Sequence, residues 1–229
     1  MQQLLGHVER LIVLTFLTNL TKRAKKQVSF FFTMASSPWQ AGNGAALPKD
    51  LSTSFSITTP PKVDYWRRSD SDDTSNAPYI YRNVSAKSFK SISATVSGPW
   101  KTQFDQGGLI LVLPNRNGLD RWIKAGVEFF NGKPMLGVVG TDRYSDWSLA
   151  PMPKGENAAT FQAVRDGETL WVYEIRDGER LPLREVKWAF IDEMDEISVG
   201  VYAAKPTPEQ GDEGKGIDVD FRDLKVETN

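Results

Sequence analysis

Short alternating or wholly apolar segments follow one another along most of the chain. Residues 89–97 alternate between apolar side chains at Ile92, Ala94 and Val96 and small polar side chains at the positions between them. This period of two is typical of a strand with one face in the core and the other in water. Residues 109–113 (Leu-Ile-Leu-Val-Leu) are apolar throughout, which predicts a strand buried on both faces.

Turn dipeptides mark the points at which these segments reverse direction. Asn131-Gly132 and Asp166-Gly167 are sequences that favour two-residue hairpin turns. Beyond the N-terminal segment no stretch shows sustained helical periodicity, and there is no internal repeat. Many short strands separated by turn signals predict an all-β protein, a β-sandwich or a jelly roll.

The N-terminal segment, residues 1–33, differs from the rest of the chain. Its apolar run at residues 11–17 is shorter than the roughly 20 residues that span a bilayer. The basic cluster at residues 22–26 follows that run, whereas in a signal peptide it would precede it. We therefore predict an extension outside the fold, with a targeting leader as the alternative. Residues 34–51 are predicted to be a loose lead-in, and residues 52–229 the β-sandwich domain.

The strand predicted at residues 122–130 carries the most informative side chains. Alternate residues of a strand face opposite ways. One face holds Trp122, Lys124, Gly126 and Glu128. The other face is apolar and predicted to lie in the core: Ile123, Ala125, Val127 and Phe129. The polar face has two interpretations, a solvated outer surface or the wall of a groove in which Trp122 stacks on a ligand and Lys124 and Glu128 anchor it.

Three further residues are predicted to complete such a ligand site. Tyr202 lies on the polar face of the strand predicted at residues 197–204, and Trp147 lies in a predicted loop at residues 142–157. The third residue, Gln106, lies just before the buried strand predicted at residues 109–113. Three other tryptophans are predicted to lie in the core or at its edge: Trp66, Trp100 and Trp188.

Composition excludes several kinds of chemistry. The chain has 229 residues, no Cys, a single His at His7 and a formal net charge of -1. The lack of Cys excludes disulfides, thiolate metal sites and a Cys nucleophile, and favours a cytoplasmic location. The near-zero charge gives no reason to expect nucleic acid or a membrane as partner. Residues 69–76 resemble a calcium loop in composition but lack its glycine and closing glutamate, so we predict a polar loop, no metal site and no cofactor.

Six motifs along the chain form a recognisable set. They are Tyr65-Trp66-Arg67-Arg68, Gln106-Gly107-Gly108-Leu109, Trp122-Ile123-Lys124-Ala125-Gly126-Val127-Glu128, Ser145-Asp146-Trp147-Ser148, Val199-Gly200-Val201-Tyr202-Ala203-Ala204 and Val219-Asp220-Phe221. Together they resemble the regulation-of-enolase-protein family, a largely uncharacterised group from fungi and bacteria, and the resemblance covers residues 52–227. It implies a two-sheet antiparallel jelly-roll sandwich of the concanavalin A-like lectin/glucanase type with a concave face, and a link to enolase expression or metabolism in yeasts. It implies no catalytic mechanism.

The fold implied by this resemblance also houses glucanases, which need two catalytic carboxyls about 5.5 Å apart in the retaining case. Residues 193–196 (Glu-Met-Asp-Glu) mimic the opening of their acidic strand motif, but Ile197 and Ser198 stand where the third acid would be. Glu128 has Gly126, not an acid, two residues away on its own strand. No catalytic residue is therefore predicted.

The sequence leaves three functions open. The first is a non-catalytic binding or regulatory protein that holds a saccharide or another small polar metabolite on the concave sheet. The second is a glycoside hydrolase-like enzyme with an unrecognised carboxylate pair. The third is an interaction module for a protein partner, which would need an exposed apolar patch.

Overall fold

The computed structural model describes residues 39–115 and 118–229, and within them it contains fifteen strands and no helix. The predicted extension at residues 1–33 lies outside the described residues. No helix in the described part of the chain could span a membrane. The strands are β1 (Gln40–Gly42), β2 (Phe55–Thr59), β3 (Tyr65–Ser69), β4 (Asp72–Ser75), β5 (Tyr79–Ser85), β6 (Phe89–Ser97), β7 (Gln106–Leu113), β8 (Arg121–Phe130), β9 (Lys133–Thr141), β10 (Ser145–Pro151), β11 (Ala158–Asp166), β12 (Thr169–Arg176), β13 (Glu179–Val186), β14 (Glu196–Ala204) and β15 (Ile217–Thr228).

The strands form two large antiparallel sheets and one small hairpin. The seven-stranded sheet has the order β1-β5-β14-β7-β8-β9-β10, and the six-stranded sheet has the order β13-β12-β11-β6-β15-β2. The hairpin is β3-β4. Neighbours that are distant in sequence, such as β14 beside β7, show that strands cross between the sheets as in a jelly roll. The predicted all-β sandwich is confirmed.

One hydrophobic core fills the space between the two large sheets. Strand β6 contributes Ile92, Ala94 and Val96, and β8 contributes Ile123 and Val127. All five side chains are buried, so both alternation patterns predicted the core face correctly. Fully burying one large aliphatic side chain stabilises the fold by about 1.5–3 kcal/mol, and this core is the main source of stability.

Two predicted loops contain strands. Strand β4 lies within residues 69–76, and β10 lies within residues 142–157. Strand β1, in the predicted lead-in, was also not expected. These strands are at sheet edges or in the small hairpin, where one side of the strand has no neighbour. Because backbone hydrogen bonds to a single partner strand hold them, their side chains need not alternate between apolar and polar.

Three glycines form a row across the outer face of the seven-stranded sheet, which is the face turned away from the core. Gly126 of β8 pairs with Gly108 of β7 on one side and with Gly137 of β9 on the other. A Cβ atom at Gly126 would lie 2.0 Å from a carbonyl oxygen of β7, which leaves no room for a side chain. The row therefore leaves bare backbone between Lys124 and Glu128, the neighbours of Gly126 on that face.

The β3-β4 hairpin packs on this outer face and covers part of it. The ring of Tyr65 meets the rings of Trp122 and Tyr202 edge to face, at centroid distances of 5.9 and 6.3 Å. The guanidinium of Arg67 lies 4.4 Å from the centroid of Trp122 and forms an ion pair with Asp73 at 3.0 Å. A second, smaller hydrophobic cluster therefore fixes the hairpin to the sheet.

Candidate functional site

A pocket of about 370 Å³ opens on the outer face beside the β3-β4 hairpin. Strands β7, β8, β9 and β10 form its floor and far side, and the hairpin and the segment after β14 form the near side. Its lining residues are Asp64, Trp66, Arg68, Phe104, Gln106, Lys124, Glu128, Val139, Trp147, Pro206 and Thr207. The pocket combines apolar walls with a small number of polar groups, which is the usual composition of a small-molecule site.

A network of four polar side chains lies at the floor of the pocket. The Lys124 ammonium, only 3% exposed, donates to Asp64 Oδ1 at 2.9 Å and to Gln106 Oε1 at 2.8 Å. The Tyr202 hydroxyl donates to the same Gln106 oxygen at 3.0 Å. Burial raises the pKa of Tyr202 well above its ordinary value, and the charges of Glu128 and Asp64 add to this shift. Tyr202 is therefore a neutral donor that holds the Gln106 amide in one orientation.

Glu128 lies next to this network but is bonded differently. Its Oε2 accepts a hydrogen bond from the indole Nε1 of Trp147 at 3.0 Å. Burial raises the pKa of Glu128 to about 7. Lys124 and the Trp147 hydrogen bond oppose the shift, and the charge of Asp64 adds to it. At neutral pH this carboxyl therefore exchanges between its protonated and ionised forms.

Three aromatic side chains form the walls around these polar groups. The rings of Trp66 and Trp147 meet at 86° with centroids 6.3 Å apart, and Phe104 meets Trp147 at 67° and 6.3 Å. The ring of Phe130 packs against another side of the Trp147 ring, with an interplanar angle of 85° and centroids 5.1 Å apart. The walls therefore form corners and not a single flat surface.

A buried ion pair holds the lining segments together from behind the pocket. Lys205 Nζ donates to Asp105 Oδ1 at 2.8 Å, and both side chains are 0% exposed. The other oxygen of Asp105 accepts the backbone N–H of Thr102 at 2.9 Å. The Lys205 carbonyl accepts the backbone N–H of Lys62 at 2.8 Å. The pair thereby joins the chain near Phe104, the chain after β14 and the chain before Asp64.

The structure brings four of the six predicted site residues into the pocket lining: Gln106, Lys124, Glu128 and Trp147. Tyr202 lies beneath the pocket and contributes through Gln106. Trp122 does not line the pocket. It is 2% exposed and covered by Arg67, so its ring cannot stack on a ligand. The predicted platform residue is in fact the support for the hairpin.

Sequence reasoning missed Asp64, Trp66 and Phe104. Trp66 is predicted to lie in the core or at its edge, yet in the structure it lines the pocket. A signal was present, because Asp64, Trp66 and Arg68 alternate with the buried residues Tyr65 and Arg67. No such signal exists for Phe104, which lies in a turn with a positive φ of 68°.

Among residues 39–115 and 118–229, no group of three or more His, Cys, Asp or Glu side chains is arranged to hold a metal ion. The pocket can instead supply hydrogen bonds, one charged Lys–Asp pair and one carboxyl that titrates near neutrality.

The fold and the pocket define the class of this protein as a concanavalin A-like lectin/glucanase-type sandwich with a small-molecule-sized pocket on one sheet. The family described as "Protein of unknown function (DUF1349)" matches residues 25–229, and the chain belongs to that family. The chain is 38% identical over 185 residues to an uncharacterised protein, AN7484, of Emericella nidulans, which covers 79% of this chain and 90% of that protein.

The second relative confirms the resemblance inferred from the motifs. Regulation of enolase protein 1 of Saccharomyces cerevisiae is 29% identical over 172 residues, which cover 74% of this chain and 79% of that protein. A crystal structure of a functionally unknown protein from Saccharomyces cerevisiae matches with a TM-score of 0.68 and 20% identity, covering 86% of this chain and 99% of that one. The GH43 protein BlXynB of Bacillus licheniformis matches with a TM-score of 0.56 and 13% identity, covering 77% of this chain and 33% of that one.

Proposed function

We propose that this chain is a non-catalytic binding protein that holds one small polar ligand in the outer-face pocket and regulates through that binding. The observation that carries the proposal is the combination of partly buried aromatic walls with polar atoms that retain hydrogen-bonding capacity. The pocket volume, about 370 Å³, is within the range of small-molecule sites. Saccharides and other small polar metabolites are the ligand classes of this size and polarity.

The unused hydrogen-bonding capacity of the floor supports this proposal. The Lys124 ammonium has three N–H groups, and two of them are engaged. Among the described residues, Asp64 Oδ2 and Glu128 Oε1 accept no hydrogen bond. Neither oxygen belongs to the buried unpartnered atoms found among the described residues, so both are open to the pocket. A ligand that donates a hydrogen bond to either of them would gain about 0.5–1.5 kcal/mol, the usual net value of a hydrogen bond.

The names of the relatives support a regulatory role for this chain and point to no particular catalysed reaction. One of them is named for the regulation of enolase, and another is uncharacterised. We propose that the same regulatory role extends to this chain, with the pocket as the part that senses a metabolite. A cytoplasmic location fits that role and is part of the proposal.

A ligand screen with one matched pair of variants tests the binding function. We expect the full-length chain to bind at least one member of a panel of neutral saccharides, polyols and small metabolites saturably, with a change in tryptophan fluorescence. Trp66→Leu removes a pocket wall and is expected to weaken that binding about tenfold or more. Trp171→Leu alters a partly buried Trp on the six-stranded sheet and is expected to leave it unchanged.

Two results would argue against the pocket as the ligand-binding site. If a well-folded protein binds no member of the panel, the pocket is not a small-molecule site and a protein partner becomes the better hypothesis. If Trp66→Leu and Trp171→Leu weaken binding equally, the ligand binds elsewhere.

A glycoside hydrolase-like enzyme is the second candidate, and one observation favours it. A carboxyl with a pKa of about 7 beside an ion-paired carboxylate is a common arrangement for acid catalysis. If the pocket is catalytic, Glu128→Gln is expected to lower the turnover of a bound glycoside about 100-fold or more, while binding persists. Product analysis by mass spectrometry checks this. Unchanged glycoside after prolonged incubation with saturating wild-type protein would exclude catalysis on that ligand.

A further inference from the structure

We propose that the ligand held in this pocket carries an organic ammonium group, of the trimethylammonium kind, enclosed by Trp66, Phe104 and Trp147 and neutralised by Glu128. This inference rests on the proposed function and names the class of ligand within the small polar metabolites. Two independent features lead to it, which are the geometry of the aromatic walls and the distribution of charge on the floor.

The geometry of the walls suits a rounded cation. Trp66 and Phe104 each meet Trp147 at steep angles, 86° and 67°, with centroids 6.3 Å apart. A flat sugar ring packs best on one flat aromatic face, whereas rings set at steep angles surround a group that presents methyl groups in several directions. Aromatic faces attract cations within about 6 Å, and cages of this kind recognise quaternary ammonium groups.

The charges on the floor leave one acid without a cation. Asp64 is paired with Lys124 at 2.9 Å, and Arg68 is paired with Asp72 at 3.3 Å. Among the described residues no Lys or Arg nitrogen lies within 4 Å of Glu128. A ligand cation beside Glu128 would supply the missing charge, in a place where the low polarity of the aromatic walls strengthens the attraction.

The same arrangement determines how the affinity for the ligand is expected to change with pH. The charged and titratable groups that share this region with Glu128 are Lys124 of β8, Asp64 before β3, Arg68 of β3 and Tyr202 of β14. Lys124 is balanced by Asp64, Arg68 is largely exposed, and Tyr202 stays neutral. Because a cation favours the ionised carboxylate, binding releases the Glu128 proton below neutral pH, and affinity rises as the pH rises through about 7.

The test uses choline and its neutral carbon analogue, in which a tert-butyl group replaces the trimethylammonium group. Isothermal titration of the full-length chain is carried out at about pH 5.5 and about pH 8.5, on either side of the Glu128 pKa. We expect choline to bind about tenfold or more tightly than the analogue, and about tenfold more tightly at the higher pH. Glu128→Gln is expected to remove the pH dependence, whereas Glu179→Gln, at the exposed first residue of β13, is expected to retain it.

Each outcome decides the inference. Equal binding of choline and the analogue overturns it, as does a folded protein that binds neither of these two compounds nor a peptide that carries trimethyllysine. A saccharide found in the ligand screen would still leave the binding function standing. A peptide that carries trimethyllysine forms a further arm. If that peptide binds and free choline does not, the ammonium cage is supported and its source is a modified protein. The comparison of choline with its analogue needs no variant, so it holds even if Glu128→Gln does not fold.

Discussion

Replacing Lys205 by Met is expected to lower the free energy of unfolding by about 3–5 kcal/mol. The change leaves the Asp105 carboxylate fully buried with no cation, 2.8 Å from where the ammonium had been. Charges taken out of water are costly unless they are paired, so the loss reflects the isolated carboxylate more than the value of the pair. Urea denaturation monitored by fluorescence measures the change.

Two further variants make this prediction specific. The double variant Lys205→Met, Asp105→Asn removes both charges and keeps an acceptor for the Thr102 N–H, so it is expected to recover more than half of the lost stability. Lys101→Met breaks the exposed pair with Glu209 and is expected to cost much less stability than Lys205→Met, because water screens both charges of the exposed pair. If Lys205→Met costs no more than Lys101→Met, the buried pair is not what holds the lining segments together.

Raising the pH from 4.5 to about 7 is expected to lower stability by about 3 kcal/mol through Glu128 alone. The carboxyl is 8% exposed, and burial raises its folded-state pKa from 4.5 to about 7. Between these values the folded state holds a proton that the unfolded state has released. The stabilisation is therefore fully present below pH 4.5 and is lost as the pH rises through about 7.

The contribution of Glu128 is isolated by comparison, because other carboxyls also titrate in this range. Glu128→Gln mimics the protonated form, so the stability difference between this variant and the wild type is expected to grow in favour of the variant as the pH rises. Glu179→Gln removes an exposed carboxyl and is expected to show no such trend. A difference between Glu128→Gln and wild type that is constant over the whole window would show that Glu128 titrates normally.

The relation between local pattern and structure is clearest in the strands of the core. Alternation predicts strands β6 and β8, because a strand with one buried face must place apolar residues at every second position. The hairpin between β8 and β9 is predicted from Asn131 and Gly132, which adopt φ values of 50° and 82° in the structure. These features depend on neighbours in the sequence, so the sequence is enough to find them.

The candidate site is predicted only in part, and the error at Trp122 shows why. Its strand face was identified correctly, and Lys124 and Glu128 on the same face line the pocket. However, the alternation of one strand cannot show what packs on top of it. The β3-β4 hairpin covers Trp122 with Arg67 and leaves Trp66 beside Trp147, and both contacts join residues far apart in the chain.

Local patterns and motifs are enough to establish the all-β class, the core faces of the central strands, the family and the polar row that includes Lys124 and Glu128. Which residues surround that row depends on the tertiary structure. Asp64 meets Lys124 across a separation of 60 residues, and Lys205 meets Asp105 across 100. Such pairs arise from sheet order and strand crossing, which periodicity does not encode. The charge balance around Glu128, and with it the chemistry of the pocket, follows from those long-range contacts.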